Sequence, residues 1–400
     1  MRIVMKKTDS NPNRRRFLPK QELAAMITAL KARGYTVIAP VLHRNVIKLR
    51  PVTGVDEIAR GLRDILDGGH YCLEEGDADL FFEYVVGPDS AKCYLFPARQ
   101  ELFSLDLQTW QPSPHQNRTQ IPKFALFGLR PCDLAAIRVQ DRVFAGGEPD
   151  GGKRCEAERH YLQSRSKSIL IAINCTRPGG TCFCDSMETG PKATEGFDVA
   201  MTELRSGFVV EAGSEKGLSL LSELPLRDPS SAELELADLK MALAREHMGR
   251  RLDTRNMVAL LDRNIENARW DKVAERCLSC GNCTMVCPTC FCSTVSDTSD
   301  LARRNATRVR HWESCYAHQF SHTTTGPHRH TIRGRYRHWL RHKLGTWWEQ
   351  FGTSGCVGCG RCITWCPAGI DITQEAAAIR AGTGKEDEQP ASPPERQVTK

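Results

Sequence analysis

Long apolar runs are missing from this 400-residue chain. The longest stretches are four to eight residues, far short of the ~18 or more that a membrane-spanning helix needs. The segment MRIVMKKTDSNPNRRRFLPK does not read as a secretory leader: it is basic but has no continuous apolar segment before a small-residue cleavage site. Arg14, Arg15 and Arg16 followed by Phe17 and Leu18 look superficially like a twin-arginine signal, yet the next segment, QELAAMITALKARGY, reads as a charged amphipathic helix. No nucleotide loop is present either. GLRPCD (128–133) is neither a P-loop nor GxGxxG, and GTGK (382–385) is too short and lies in the tail. The formal charge of +7 is not general: residues 301–350 carry ten Lys/Arg against Glu313 and Glu349, or +8, leaving about −1 elsewhere. That local excess, without a recognised module, does not argue for nucleic acid.

What the chain does have is size and sulfur. At 400 residues and 40% hydrophobic it is expected to be globular with two or three domains. Residues 21–33 have helical spacing, with Leu23, Met26, Ile27 and Leu30 on one side. Short strand-like runs follow at 35–40 and 45–50, and apolar runs at 81–86 and 93–97. Phe124–Phe127 reads as a buried strand, Gly128–Pro131 as a tight turn and Asp133 as a helix cap, and a further strand at 168–174 runs into CTRPGGTCFC. This alternation predicts an α+β protein: a mixed α/β N-terminal domain, then a bacterial dicluster-ferredoxin-like module with a large insertion. The expected boundaries are 1–20 for a basic extension, 21–226 for the α/β domain and 227–276 for a helical connector. The cysteine module takes 277–375 with its insertion at 293–350, and 376–400 is a helix end and disordered tail.

The eighteen cysteines decide the chemistry by their spacing. CLSCGNCTMVCP (277–288) and CVGCGRCITWCP (356–367) are two full CxxCxxCxxxCP runs, the pattern of two-cluster ferredoxins. Three thiolates of each run wrap one [4Fe-4S] cluster while the fourth reaches the other. One set is therefore Cys277, Cys280, Cys283 and Cys366, and the second is Cys356, Cys359, Cys362 and Cys287. Structural zinc or disulfides are the competing readings. A lone CxxC suits zinc, but two complete copies favour iron–sulfur, and disulfide frameworks belong to small secreted chains. Gly281 and Gly360 are expected to let the backbone pass close to the sulfides. The 68 residues between Cys287 and Cys356 make the insertion.

Four further cysteines sit at strand ends, Cys132 in GLRPCD and Cys175, Cys182 and Cys184 in NCTRPGGTCFC. They are candidates for a third [4Fe-4S] cluster; zinc, or no metal, remains open at that set. Cys290 and Cys292 repeat the CFC pattern and are read as lining a cluster pocket or exchanging as ligands. Cys72, Cys93, Cys155 and Cys315 match no motif. The basic, aromatic YRHWLRHKLGTWW (336–348) is read as a solvated or cluster-packing face, with a docking surface for an acidic partner as the functional alternative.

With these residues in view, the chain resembles the beta subunit of the cytoplasmic NiFe sulfhydrogenase or sulfur-reductase family and is similar to the A subunit of anaerobic sulfite reductase. GLRPCDLAAIR (128–138), NCTRPGGTCFC (174–184), CPTCFC (287–292) and FGTSGCVGCGRCITWCP (351–367) carry the resemblance, which covers nearly the whole chain. It implies a cytoplasmic electron-transfer subunit, not itself catalytic. Such a subunit relays electrons through two [4Fe-4S] clusters and a candidate third. Its implied partners are a diaphorase-type subunit that binds FAD and NAD(P), together with the small and large NiFe hydrogenase subunits or a sulfite reductase subunit. No CxxC pairs of the kind that ligate nickel–iron are present. The alternatives are an independent sulfur-handling reductase using Cys132, Cys175, Cys182 and Cys184, and a regulatory iron–sulfur protein.

Overall fold

The computed structural model describes residues 15–112, 121–146, 157–302 and 304–382. The fold is α+β. Its N-terminal half is built on a seven-stranded sheet, in the order Arg16–Pro19, Gly207–Ala212, Val199–Glu203, Ile169–Ile173, Phe124–Leu129, Thr36–His43 and Val46–Pro51. The four central strands pair in parallel and both edges are antiparallel. Parallel strands are covered on both faces and so read as continuous apolar runs; Ile169–Ile173 is buried throughout. Ile169, Ile171 and Ile173 meet Leu23, Met26, Ile27 and Leu30 of helix Leu23–Ala32 on one face. Leu170 and Ala172 meet Leu134, Ile137 and Phe144 of helix Pro131–Phe144 on the other.

Two apolar runs lie outside the sheets. Residues 81–86 form no strand, because Glu203 draws their backbone away from any ladder: its carboxylate accepts the Phe81 and Phe82 N–H groups, each at 2.8 Å. Residues 93–97 lie on a single helical turn, Lys92–Leu95, and beyond it. Asp133 is not the cap itself but sits one turn in, where it accepts the Arg130 N–H at 3.1 Å. Arg16–Pro19, expected within the basic extension, is an edge strand anchored by buried Phe17 and Leu18.

A second core surrounds the cysteine motifs. Helices Met257–Arg263, Arg269–Ala274, Ile332–Arg341 and Ile372–Ala381 contribute Leu260, Leu261, Trp270, Trp339, Leu340 and Ile379 to it. The insertion begins as a hairpin, Ser293–Ser299 with Asn305–Trp312, whose second strand pairs with Arg99–Asp106. It thus stitches the cysteine module to the N-terminal half. The expected tail beyond residue 382 and Cys155 lie outside the described residues.

Candidate metal centres

Each ferredoxin-type run folds as a left-handed turn leading into one helical turn, Asn282–Met285 after the first and Arg361–Thr364 after the second. Gly281 and Gly360 both sit at φ +74°, a conformation open mainly to glycine. Backbone amides point at sulfurs of the two runs: Ser279 N–H at Cys277, Gly358 N–H at Cys356 and Ile370 N–H at Cys366, each at 3.4 Å. Such bonds stabilise negative charge on sulfur and help set cluster potential.

The thiols of the two runs interleave. Cys277, Cys280 and Cys283 line one cavity together with Cys362 and Cys366 of the second run, walled by Tyr316 and Trp339. Cys287 lies instead in electrostatic contact with Cys356, Cys359 and Cys362. Burial raises the pKa of Cys356, to about 12, and also that of Cys359 and Cys362. Cys287 is held well below the ordinary thiol range, by a hydrogen bond from Cys290 and by the Lys343 ammonium. Cys280 is exposed and Leu278 beside it is 67% exposed, so the first set reaches the surface while Cys356 does not.

The four N-terminal cysteines also converge. Cys132 follows strand Phe124–Leu129 and Cys175 follows its neighbour Ile169–Ile173, the carboxyl ends where open α/β sheets place their sites. With Cys182 and Cys184 they line one cavity, closed by Arg130, Arg361 and Cys359 of the second run. All four are buried, and burial raises each thiol pKa. The second run is pressed against this loop. Phe183 N–H donates to the Gly358 carbonyl at 2.8 Å and the Thr189 hydroxyl to the Val357 carbonyl at 2.6 Å. A Cβ on Gly358 would lie 2.6 Å from Cys184 Cα. The equivalent position in the first run is Ser279 at φ +52°, whose hydroxyl accepts from Arg335 Nε at 3.1 Å.

Among the described residues no three His, Cys, Asp or Glu side chains are placed to hold one metal ion. Two groups of thiols ring cavities instead. That arrangement, with all-sulfur donor sets of four, fits a polynuclear group bringing its own bridging sulfide. Residues 276–370 match the family described as 4Fe-4S dicluster domain. Over 262 residues the chain is 33% identical to sulfhydrogenase 2 subunit beta of Pyrococcus furiosus, covering 65% of this chain and 75% of that protein. The chain belongs to the sulfhydrogenase beta-subunit family. Membership and the dicluster domain make this family member an iron–sulfur, [4Fe-4S]-binding electron-transfer protein. No solved structure matches it. Among its described residues no helix is long and apolar enough to cross a membrane.

Sequence reasoning missed two charged groups at this site. Lys343, 3% exposed, occupies a π-helical turn, His342–Thr346, and donates to Cys287 Sγ at 3.3 Å. Arg361, 5% exposed, pairs with fully buried Asp133 at 2.8 Å, joining the second run to the helix that carries Cys132. Neither had a signal: each sits among residues that read as a basic surface or a plain motif spacer. The basic helix itself is largely neutralised within the chain. Arg333 and Arg337 pair with Glu266, each at 2.8 Å, and Arg341 pairs with Asp262.

Proposed function

We propose that this chain is the cytoplasmic relay subunit of an oxidoreductase complex, passing electrons between an FAD/NAD(P)-binding flavoprotein and a NiFe hydrogenase or sulfur- or sulfite-reducing module. Cys277, Cys280, Cys283 and Cys366 ligate one [4Fe-4S] cluster and Cys356, Cys359, Cys362 and Cys287 a second. Cys132, Cys175, Cys182 and Cys184 ligate a third. A [4Fe-4S] cluster supplies reversible one-electron exchange in which no substrate bond is broken. The residues do the rest: thiolates hold iron, Arg361 and Asp133 lock the second run to the third set, and Tyr316, Tyr336 and Trp339 wall the first set.

One observation carries the reading. The three thiol sets are contiguous, the first sharing Cys362 as a wall with the second and the second sharing Cys359 with the third. The first is open to solvent at Cys280, which suits a partner docking there. The name of the Pyrococcus relative supports a hydrogenase complex.

The test is anaerobic iron and acid-labile sulfide quantification on the wild type and on a Cys175→Ser/Cys182→Ser/Cys184→Ser triple variant. About twelve irons falling to about eight supports three clusters. About eight in both confines the clusters to the ferredoxin-type runs. Zinc in place of iron in fresh protein ends the relay reading.

A further inference from the structure

The PTCFC run and Cys315 have no place in the three four-thiol sets. The hairpin that opens the insertion brings two of these cysteines together. Ser293 pairs with Trp312 at the open end of the ladder, and Glu313 N–H donates to the Cys292 carbonyl at 2.8 Å. Cys292 and Cys315, just outside the last paired residues, therefore meet. The Cys315 thiol and its backbone amide both approach the Cys292 sulfur. Cys315 is buried and Cys292 half-buried, and both pack in the apolar group with Tyr316 and Trp339 that walls the first cavity. Cys315 also lies in electrostatic contact with Cys283, and the Lys343 ammonium acts on both sulfurs. Cys290, the other thiol of the run, faces Cys287 instead.

A single buried thiol in an apolar wall is ordinary packing. Two thiols brought together by the hairpin register, with a buried cation acting on both, are not explained by packing. We propose that Cys292 and Cys315 form a dithiol–disulfide couple that stores two electrons beside the electron path, exchanging them with the centre ligated through Cys283.

Reduction breaks the Cys292–Cys315 S–S bond with two electrons, delivered one at a time, and two protons, leaving two thiols. Oxidation re-forms the bond and returns the electrons and protons. The reductant is the reduced iron–sulfur centre of the Cys277, Cys280, Cys283 and Cys366 set, so the inference rests on the relay reading above. Lys343 places positive charge beside the thiolate released as the bond opens. Such a store matches one-electron relays to partners that exchange electrons in pairs.

The experiment uses the purified complex under anaerobic conditions, oxidised with ferricyanide or reduced with dithionite. Each sample is acid-quenched, alkylated under denaturing conditions and mapped by mass spectrometry. A Cys292–Cys315 linked peptide in the oxidised sample, and two singly alkylated cysteines in the reduced one, is the expected result. A stoichiometric dithionite titration should show Cys292→Ser taking two electrons fewer per chain than wild type, with iron content unchanged. Single alkylation of both cysteines in the oxidised complex overturns the proposal. So does loss of iron in Cys292→Ser or Cys315→Ser, which would make them cluster ligands. If neither variant assembles, the wild-type peptide map decides alone. A failure of the relay reading is distinguishable, because it shows as missing iron in the wild type.

Discussion

Replacing Lys343 with methionine removes a buried positive charge while keeping the length of the stem. Its ammonium stands 3.3 Å from Cys287 Sγ, 3.1 Å from Thr289 Oγ1 and 3.0 Å from the Gly355 carbonyl. These three partners are a thiol, a hydroxyl and a carbonyl, none of them a carboxylate. Burial opposes its charge, but the sulfurs of Cys287, Cys290 and Cys356 outweigh that and hold its pKa above the usual lysine range. With crossed ligation, reduction adds one negative charge to the centre held by Cys287, Cys356, Cys359 and Cys362, so the ammonium favours the reduced state. That added charge is spread out, so an effective separation of about 6 Å at an effective dielectric of about 20 gives about 2.8 kcal/mol. At about 1.36 kcal/mol and about 59 mV per tenfold, this is about 120 mV. Lys343→Met should therefore lower the midpoint potential of the second set by about 120 mV and leave the first set nearly unmoved, while Lys343→Arg stays close to wild type. EPR-monitored potentiometric titration with iron quantification reads all three. Full iron content with an unshifted or higher midpoint in Lys343→Met would refute the reasoning.

Three further outcomes follow from the same geometry. Gly358→Ala meets both a left-handed backbone, costing about 1–2 kcal/mol, and the Cys184 backbone; it should lower the melting temperature and release iron from the Cys132 set, whereas Ser279→Gly should be tolerated in the same assays. Cys366→Ser should alter the EPR signal of the cluster shared with Cys277, Cys280 and Cys283, and Cys287→Ser that of the other; loss confined to the cluster of the mutated run would contradict crossed ligation. Glu233 is held down to about 2 by Arg227 and the Ser230 cap. A depressed carboxylate contributes stability above its unfolded pKa of about 4.3 that is lost as pH falls. Wild type should exceed Glu233→Gln in chemical denaturation at neutral pH, and the two should converge near pH 2.

Much of this was legible in the sequence, for physical reasons that differ by element. The two cysteine runs are local patterns whose ligation logic depends on spacing alone, and helix Leu23–Ala32 announces itself by the period of Leu23, Met26, Ile27 and Leu30. The convergence of Cys132 with Cys175, Cys182 and Cys184 was legible as a candidate, because strand ends in a parallel sheet fall together. Long-range pairings were not. Glu203 captures the Phe81 and Phe82 amides across the sheet, which no local period encodes. The hairpin strand Asn305–Trp312 pairs with Arg99–Asp106 some two hundred residues earlier. Lys343 looked like one more charge on a basic helix, and only the π-helical turn at His342–Thr346 brings it inward. Cys315 carried no motif and acquires a partner only through the hairpin register.

The central claim is that electrons cross this chain. The direct measurement is rapid-mix freeze-quench EPR of the intact complex reduced from the hydrogenase side with hydrogen, with nicotinamide reduction followed in parallel. The account predicts that cluster signals lost in the Cys366→Ser and Cys287→Ser variants appear before reduced nicotinamide, and that both variants slow its formation. Reduced nicotinamide formed at the full rate while those clusters stay oxidised would contradict it.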